Sequence, residues 1–254
     1  LLRPAGANHF NPMASPGDSK RRSMKKVIIV GAGGHAAEID EYIRYSRIQG
    51  KGPQLEVVGF LDDNPDSHAA YQFSAPFLGP ISGHKVREDV EYLIGIANLK
   101  FRRSITEKLQ QAGARFTDFI HPDIYLSASA IIGKGVIIAP NANIGPNVVI
   151  GDFTLINARC SLGHDTKIGR FNFITPNVCF SGFTTIGDEN LFGINSATIP
   201  GIKVGHRNKI AAGMVLDRNV DNDSTVFYRH KERVIAIPKQ SNNSNPGQDE
   251  SHTA

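Results

Sequence analysis

The chain has 254 residues, a formal net charge of +4, 40% hydrophobic and 20% charged residues, 25 glycines and no tryptophan. That length suits two domains, and the composition excludes collagen-like, disulfide-scaffold and wholly disordered classes. Arg3, Lys20, Arg21 and Arg22 against Asp18 place most of the positive surplus in residues 1–23, so no nucleic-acid footprint is expected on a folded face. No apolar run is long enough to span a membrane. Cys160 and Cys179 are the only cysteines, too few for a disulfide framework or a structural zinc site, and they suit a reducing, cytoplasmic compartment.

Residues 1–23 are rich in Pro, Gly, Ser and Asn and begin with Leu. They are expected to be a disordered or expression-derived tail, with Met24 as the native start. From Lys25 to Val30 the sequence has the pattern of a short buried strand, and Gly31-Ala32-Gly33-Gly34-His35-Ala36 follows at once. A helix-period stretch covers 36–47. Leu55 to Leu61 reads as a second strand ending in Asp62-Asp63, and Tyr92 to Ile96 as a third, followed by a helix over 99–113. Strands alternating with helices imply a parallel sheet, so residues 24–120 are expected to form an α/β Rossmann-like domain. Residues 64–90 carry no readable pattern.

From residue 132 a different period takes over. Every sixth position, Ile132, Ile138, Ile144, Ile150, Ile156, Leu162, Ile168, Ile174, Phe180, Ile186, Phe192, Thr198, Val204 and Ile210, is large and apolar except Thr198. Glycine follows at 133, 145, 151, 163, 169, 187, 193 and 205, and small or β-branched residues such as Ala130, Val136, Ala142, Val148, Thr154 and Cys160 recur two places ahead. Neither a helix nor a strand period produces this, whereas a hexapeptide-repeat parallel β-helix does. Each hexad gives one short strand and one corner of a triangular prism; three hexads close a coil, and coils stack about 4.8 Å apart. The recurrent aliphatic is expected to point inward, and the glycine after it to let the backbone turn tightly. The β-helix is expected over 121–219, then a C-terminal segment over 220–238 and a disordered polar tail over 239–254.

The hexad register resembles the left-handed β-helix acyltransferases, and the GAGGH loop ahead of it narrows the resemblance to the sialic acid O-acetyltransferase family. That family includes the nucleotide-amino-sugar N-acetyltransferases of bacterial glycan synthesis. The resemblance covers residues 25–220, with the junction Phe119-Ile120-His121-Pro122. It implies a left-handed β-helix, a homotrimer, acetyl-CoA as donor, a nucleotide-linked amino sugar as acceptor, and no metal. The family's catalytic motif falls on Leu162-Gly163-His164-Asp165. An amine attacking a thioester must lose a proton, which an imidazole titrating near neutrality can accept, while a carboxylate fixes its tautomer. Asn157 matches a family asparagine beside that site. Gly182, Gly193, Ile194 and Gly213 match places that line the pantetheine, and Gly182 is also a candidate oxyanion donor. By resemblance Gly33, Gly34 and His35 touch phosphate or sugar, Asp62 and Asp63 reach ribose or base, and Gly95 completes the pocket. Two departures stand out. Phe173 occupies the place where related N-acetyltransferases have a second histidine, and Val226-Phe227-Tyr228-Arg229-His230-Lys231 replaces the usual Gly-x-Pro-Ala ending.

Three rival readings follow from the same residues. One is O-acetylation of a sugar of the sialic acid type. Another is a non-catalytic nucleotide- or NAD-binding protein, which the His164-Asp165 pair opposes. The third is a redox dehydrogenase, for which the chain supplies only half of a dinucleotide fold and no separate catalytic domain.

Overall fold

The structure, a computed structural model, describes residues 24–228. The expected tails at 1–23 and 239–254, and residues 229–238 with the Arg229-His230-Lys231 departure, lie outside the described residues. The N-terminal unit is a parallel sheet of β1 (Lys25–Val30), β2 (Leu55–Leu61), β3 (Phe77–Gly79) and β4 (Glu91–Ile94) in the order β3-β2-β1-β4. Helices α1 (Gly34–Ile48), α2 (Pro65–Ala69) and α3 (Leu99–Gln111) connect and cover it. Val27, Ile28, Ile29 and Val30 are fully buried, as a central parallel strand with both faces covered requires. β3 falls inside the stretch that carries no readable pattern. It is three residues long, and its Leu78 fills the space over Gly59, where a Cβ would come within 2.3 Å.

The second unit is the left-handed parallel β-helix that the hexads imply. Its two-residue strands form three parallel sheets of seven, six and five strands, one per prism face. Strands pair eighteen residues apart, as in Leu155↔Phe173, Ser161↔Cys179 and Val149↔Lys167, until the last pair, where Lys209 meets Thr225. The second residue of each strand is the hexad aliphatic, and the column from Ile132 to Ile210 is buried inside the prism. Thr198, the polar exception, also points inward; its hydroxyl lies 2.9 Å from Thr184 Oγ1 and accepts from the Ser181 N–H at 3.2 Å. The ladder begins at Phe119–Ile120, paired with Ile137–Ile138, and continues to Thr225–Val226.

The glycines do a different job from the one expected. Gly133, Gly145, Gly151, Gly163, Gly169, Gly187, Gly193 and Gly205 are absent from the positive-φ residues; the left-handed conformation falls two places later, at Asn141, Asn147, Phe153, Arg159, Asp165 and their successors. The repeat needs glycine because a Cβ would strike the next coil: at Gly151 it would come within 2.6 Å of the Gly169 backbone.

Inside one corner a column of buried asparagines ties coils together. Asn190 donates both its backbone N–H (2.8 Å) and Nδ2 (3.0 Å) to Asn172 Oδ1, and the Asn208 N–H donates to Asn190 Oδ1 at 2.8 Å. These bonds satisfy polar groups that the dry interior cannot hydrate.

The two units share one core. On the seven-stranded face the outward residues Phe119, Ile137 and Leu155 are buried against Ile39 and Ile43 of α1, with Phe173 half-buried beside them. The same positions on the other two faces carry Asn143, Ser161 and Cys179, or Lys167, Thr185 and Lys203. The adjoining corner adds an aromatic stack: Phe153 on Phe171 at 5.2 Å, with Phe116 edge-on to Phe153 at 5.1 Å. Truncating Asn190→Ala leaves the Asn208 N–H buried without an acceptor. It should lower unfolding free energy by about 1–3 kcal/mol in urea titrations, while a loss below about 0.5 kcal/mol would remove the ladder from the stabilising interactions.

Candidate active site

His164 occupies the corner after the strand Ser161–Leu162, and its Nδ1 lies 2.9 Å from Asp165 Oδ2. Two adjacent residues can face the same way because Asp165 has φ +58, a left-handed conformation that Asp adopts more readily than most side chains. The second carboxylate oxygen accepts from Asn147 Nδ2 at 3.1 Å, and the Asn147 N–H donates to Ser129 Oγ at 2.9 Å. The hydrogen bonds from His164 and then Asn147 hold the Asp165 carboxyl below the usual carboxylate range. An ionised Asp165 can only accept, so Nδ1 carries the imidazole proton and Nε2 presents its lone pair.

The ring is oriented on two further sides. It lies over Gly182, where a Cβ would come within 2.7 Å of Cε1 and Nε2, and Phe183 meets it edge-on at 5.0 Å and 88°. Any side chain at position 182 would push the imidazole off its seat. The Gly182 N–H makes no hydrogen bond among the described residues.

The other expected donor-site residues fall on the opposite edge of one prism face. Asn157, Gly193, Ile194 and Gly213 belong to the corner that precedes the six-stranded face, whereas His164 and Gly182 belong to the corner that follows it. Asn157 is buried and its Oδ1 accepts from the Ala158 N–H at 2.7 Å, which ties it to its own corner rather than to His164. Ile194 is exposed, and Gly213 has φ +72 with open space beyond its Cα. Between the two edges the outward residues Asn143, Ser161, Cys179 and Ala197 are small, leaving a shallow strip beside the imidazole.

In the N-terminal unit the glycine loop opens α1. Gly33 is its N-cap with no side-chain cap and no acidic residue in the first turn, so no side chain of the cap or first turn neutralises the positive end of the helix. A Cβ on Gly33 would meet nothing, while at Gly34 it would approach the Tyr71 hydroxyl. His35 packs against Phe173 of the β-helix at 6.0 Å; its Nδ1 lies 3.3 Å from Glu38 Oε2, and its Nε2 is buried without a protein partner. Burial lowers its pKa, so it is neutral at pH 7. Asp62 uses both oxygens internally, accepting from the Ala32 N–H at 2.7 Å and the Asn64 N–H at 2.9 Å. Asp63 accepts from the Ser82 N–H and hydroxyl through Oδ1 alone. Gly95 is closed by packing, since a Cβ there would sit 2.9 Å from Ala36 Cβ and Ile29 Cγ2.

These two groups of residues are not together within one chain. The glycine loop stands over the seven-stranded face, and His164 stands on the corner between the other two faces, across the prism. Sequence reasoning missed Asn147, Phe183 and Tyr71. Asn147 and Phe183 lie eighteen residues before and after Asp165, so the coil length itself could have pointed to them; Tyr71 had no such signal. Replacing Asn147→Ala should raise the Asp165 pKa toward the ordinary carboxylate range in an NMR titration, and an unmoved titration would separate Asn147 from this network.

Residues 26–109 match the family model for the PglD N-terminal domain. Over 117 residues the chain is 30% identical to the UDP-N-acetylbacillosamine N-acetyltransferase of Bacillus subtilis (strain 168), covering 45% of this chain and 51% of that protein. The chain thus spans about half the length of the curated relative it matches. Among solved structures, the acetyltransferase domain of PglB from Neisseria gonorrhoeae FA1090, in complex with acetyl coenzyme A, is 28% identical with a TM-score of 0.67, covering 79% of this chain and 95% of that one. PerB from Caulobacter crescentus, in complex with CoA and GDP-perosamine, shares the fold at 23% identity and a TM-score of 0.68, covering 80% and 94%.

Proposed function

We propose that this chain, a PglD-type N-terminal domain joined to a hexapeptide-repeat β-helix, is an acetyl-CoA-dependent N-acetyltransferase. Its acceptor is the amino group of a UDP-, GDP- or dTDP-linked amino sugar used for surface polysaccharide or glycoprotein glycans. The observation that carries this reading is the His164–Asp165 pair, held by Asn147 and seated on Gly182 beside a strip of small side chains. The similarity to the PglB acetyltransferase domain supports it. In this reading residues 24–120 hold the acceptor and 121–219 the donor. A cytoplasmic location belongs to the same proposal; no described helix is long and apolar enough to cross a membrane, and Cys160 and Cys179 are free thiols.

The chemistry follows from the geometry. The acceptor amine attacks the thioester carbonyl carbon while His164 Nε2 takes its proton, and Asp165 stabilises the imidazolium that forms. In this reading the Gly182 N–H, which makes no hydrogen bond among the described residues, receives the developing oxyanion. As the tetrahedral intermediate collapses, the carbon–sulfur bond breaks and the imidazolium returns its proton to the leaving thiolate. Asn157, Gly193, Ile194 and Gly213 line the far edge of the donor strip. At the acceptor end the N-terminus of α1 with Gly33, Gly34 and His35 takes the phosphates, backed by Gly95. Asp63, with Oδ2 uncommitted, is better placed than the internally bonded Asp62 to hold a ribose hydroxyl. Phe173 takes no part in donor binding in this reading, because it is packed between the units against His35.

Thiol release from acetyl-CoA across a panel of nucleotide amino sugars tests the activity, and no release with any of them would refute it. His164→Ala should cut kcat by roughly 10²–10⁴ with the fold intact. Gly182→Ala, which keeps the imidazole but displaces it, should cost about 10–10².

Because the glycine loop and His164 lie across the prism, the proposed site is completed by a neighbouring chain, in a homotrimer. Co-expressing a His164→Ala chain with a Gly33→Asp chain, each inactive alone, should then restore activity, since mixed trimers contain one intact pair of half-sites. A site confined to one chain gives no recovery.

A further inference from the structure

Arg102 lies one turn into α3 and is only 1% exposed. Its Nη1 donates to the carbonyls of Ile94 (3.0 Å) and Ile96 (2.7 Å), the residues on either side of Gly95. That strand end closes on the glycine loop, where a Cβ at Gly31 would lie 3.0 Å from Ile96 Cγ1. Its Nε donates across the unit boundary to the Phe153 carbonyl at 3.2 Å. Nη2 is buried without a partner, and no carboxylate pairs with the guanidinium among the described residues. Burial alone lowers its pKa to about 9, so it remains charged at neutral pH.

A buried cation without a counter-ion is a poor way to stabilise a protein, and an apolar side chain of similar volume would cost less. The arrangement supplies something else. A planar fork can hold two carbonyls of the pocket edge from one nitrogen while another nitrogen grips a second domain, and a lysine ammonium cannot reproduce that geometry. The acceptor of this fork in the β-helix is also well fixed, because Phe153 is buried and stacked between Phe116 and Phe171.

We propose that Arg102 is a positioning residue that fixes the edge of the nucleotide pocket to the β-helix, so that the bound acceptor amine is delivered in register with a catalytic corner. This rests on the function proposed above. The neighbouring Arg103 provides the control, since it also crosses the boundary, to Glu189, but from an exposed position where an ion pair contributes little.

The test compares Arg102→Lys, Arg102→Gln and Arg103→Ala in the full chain. Both Arg102 variants should lose roughly tenfold or more in kcat, as misplacement of reacting groups does, with KM for acetyl-CoA and the affinity for a nucleoside diphosphate within about twofold of wild type. Arg103→Ala should leave all three within about twofold. In a readout independent of turnover, a nucleoside diphosphate should raise the melting temperature of the β-helix in wild type and fail to do so in the Arg102 variants. Full activity in either Arg102 variant, rescue by lysine, loss of nucleotide binding, or failure of both to fold would each overturn the proposal. If wild type transfers no acetyl group, the proposed function fails, and the melting experiment still decides the role of Arg102.

Discussion

A strand of the β-helix can satisfy its main chain only by lying over the strand eighteen residues before it and under the one eighteen residues after it, as Lys167 does between Val149 and Thr185. Everything else in the molecule depends on that ladder. One residue inserted into a coil would turn its aliphatics outward and move every later corner to a new place on the prism. With the register fixed, each corner becomes a column of equivalent positions. One column carries Asn147, Asp165 and Phe183 around the imidazole; another carries Phe153 and Phe171 into the boundary between the units; inside that corner, Asn172, Asn190 and Asn208 bond coil to coil.

The corners also concentrate backbone strain. Phe153 and Phe171 both have φ +56, a conformation that bulky side chains avoid and that persists only where the surroundings over-determine it. Here the compensation is burial of both rings in the shared core, with Arg103 and Arg170 cations over the Phe171 ring. The strain at Asp165 is offset differently, by the two hydrogen bonds to its carboxylate. The same backbone geometry therefore serves packing at one corner and holds an imidazole–carboxylate pair at another, and the side chain decides which.

Much of this was legible in the sequence because the repeat is strict. The hexad register located the inward column residue by residue, and the family resemblance pointed to the corner that carries His164 and Asp165. The role of the glycines was not legible, since spacing alone cannot separate a residue that frees φ from one that makes room for the next coil. Nor was β3, too short to show alternation, or Arg102, whose importance comes from three carbonyls brought together by the fold. Phe173 reads in sequence as a departure from relatives. In space it is part of the apolar column on the face that carries the N-terminal unit, where a solvated histidine would leave Leu155 and Ile137 poorly covered.

The prism is also a ruler. Phe173, which touches the glycine-loop histidine, and His164 are half a coil apart along the chain, so the glycine loop and the imidazole stand at nearly the same height on the axis. Inserting three whole hexads between them would keep the eighteen-residue ladder and the inward column. It would nonetheless shift one end against the other by about 4.8 Å, the spacing of one strand. Reach in this architecture can thus change only in discrete steps, each roughly the width of a sugar ring. A lineage that gains a coil there would move the imidazole corner by one strand spacing against the glycine loop, and would place new side chains where Gly182 and Phe183 now seat the ring.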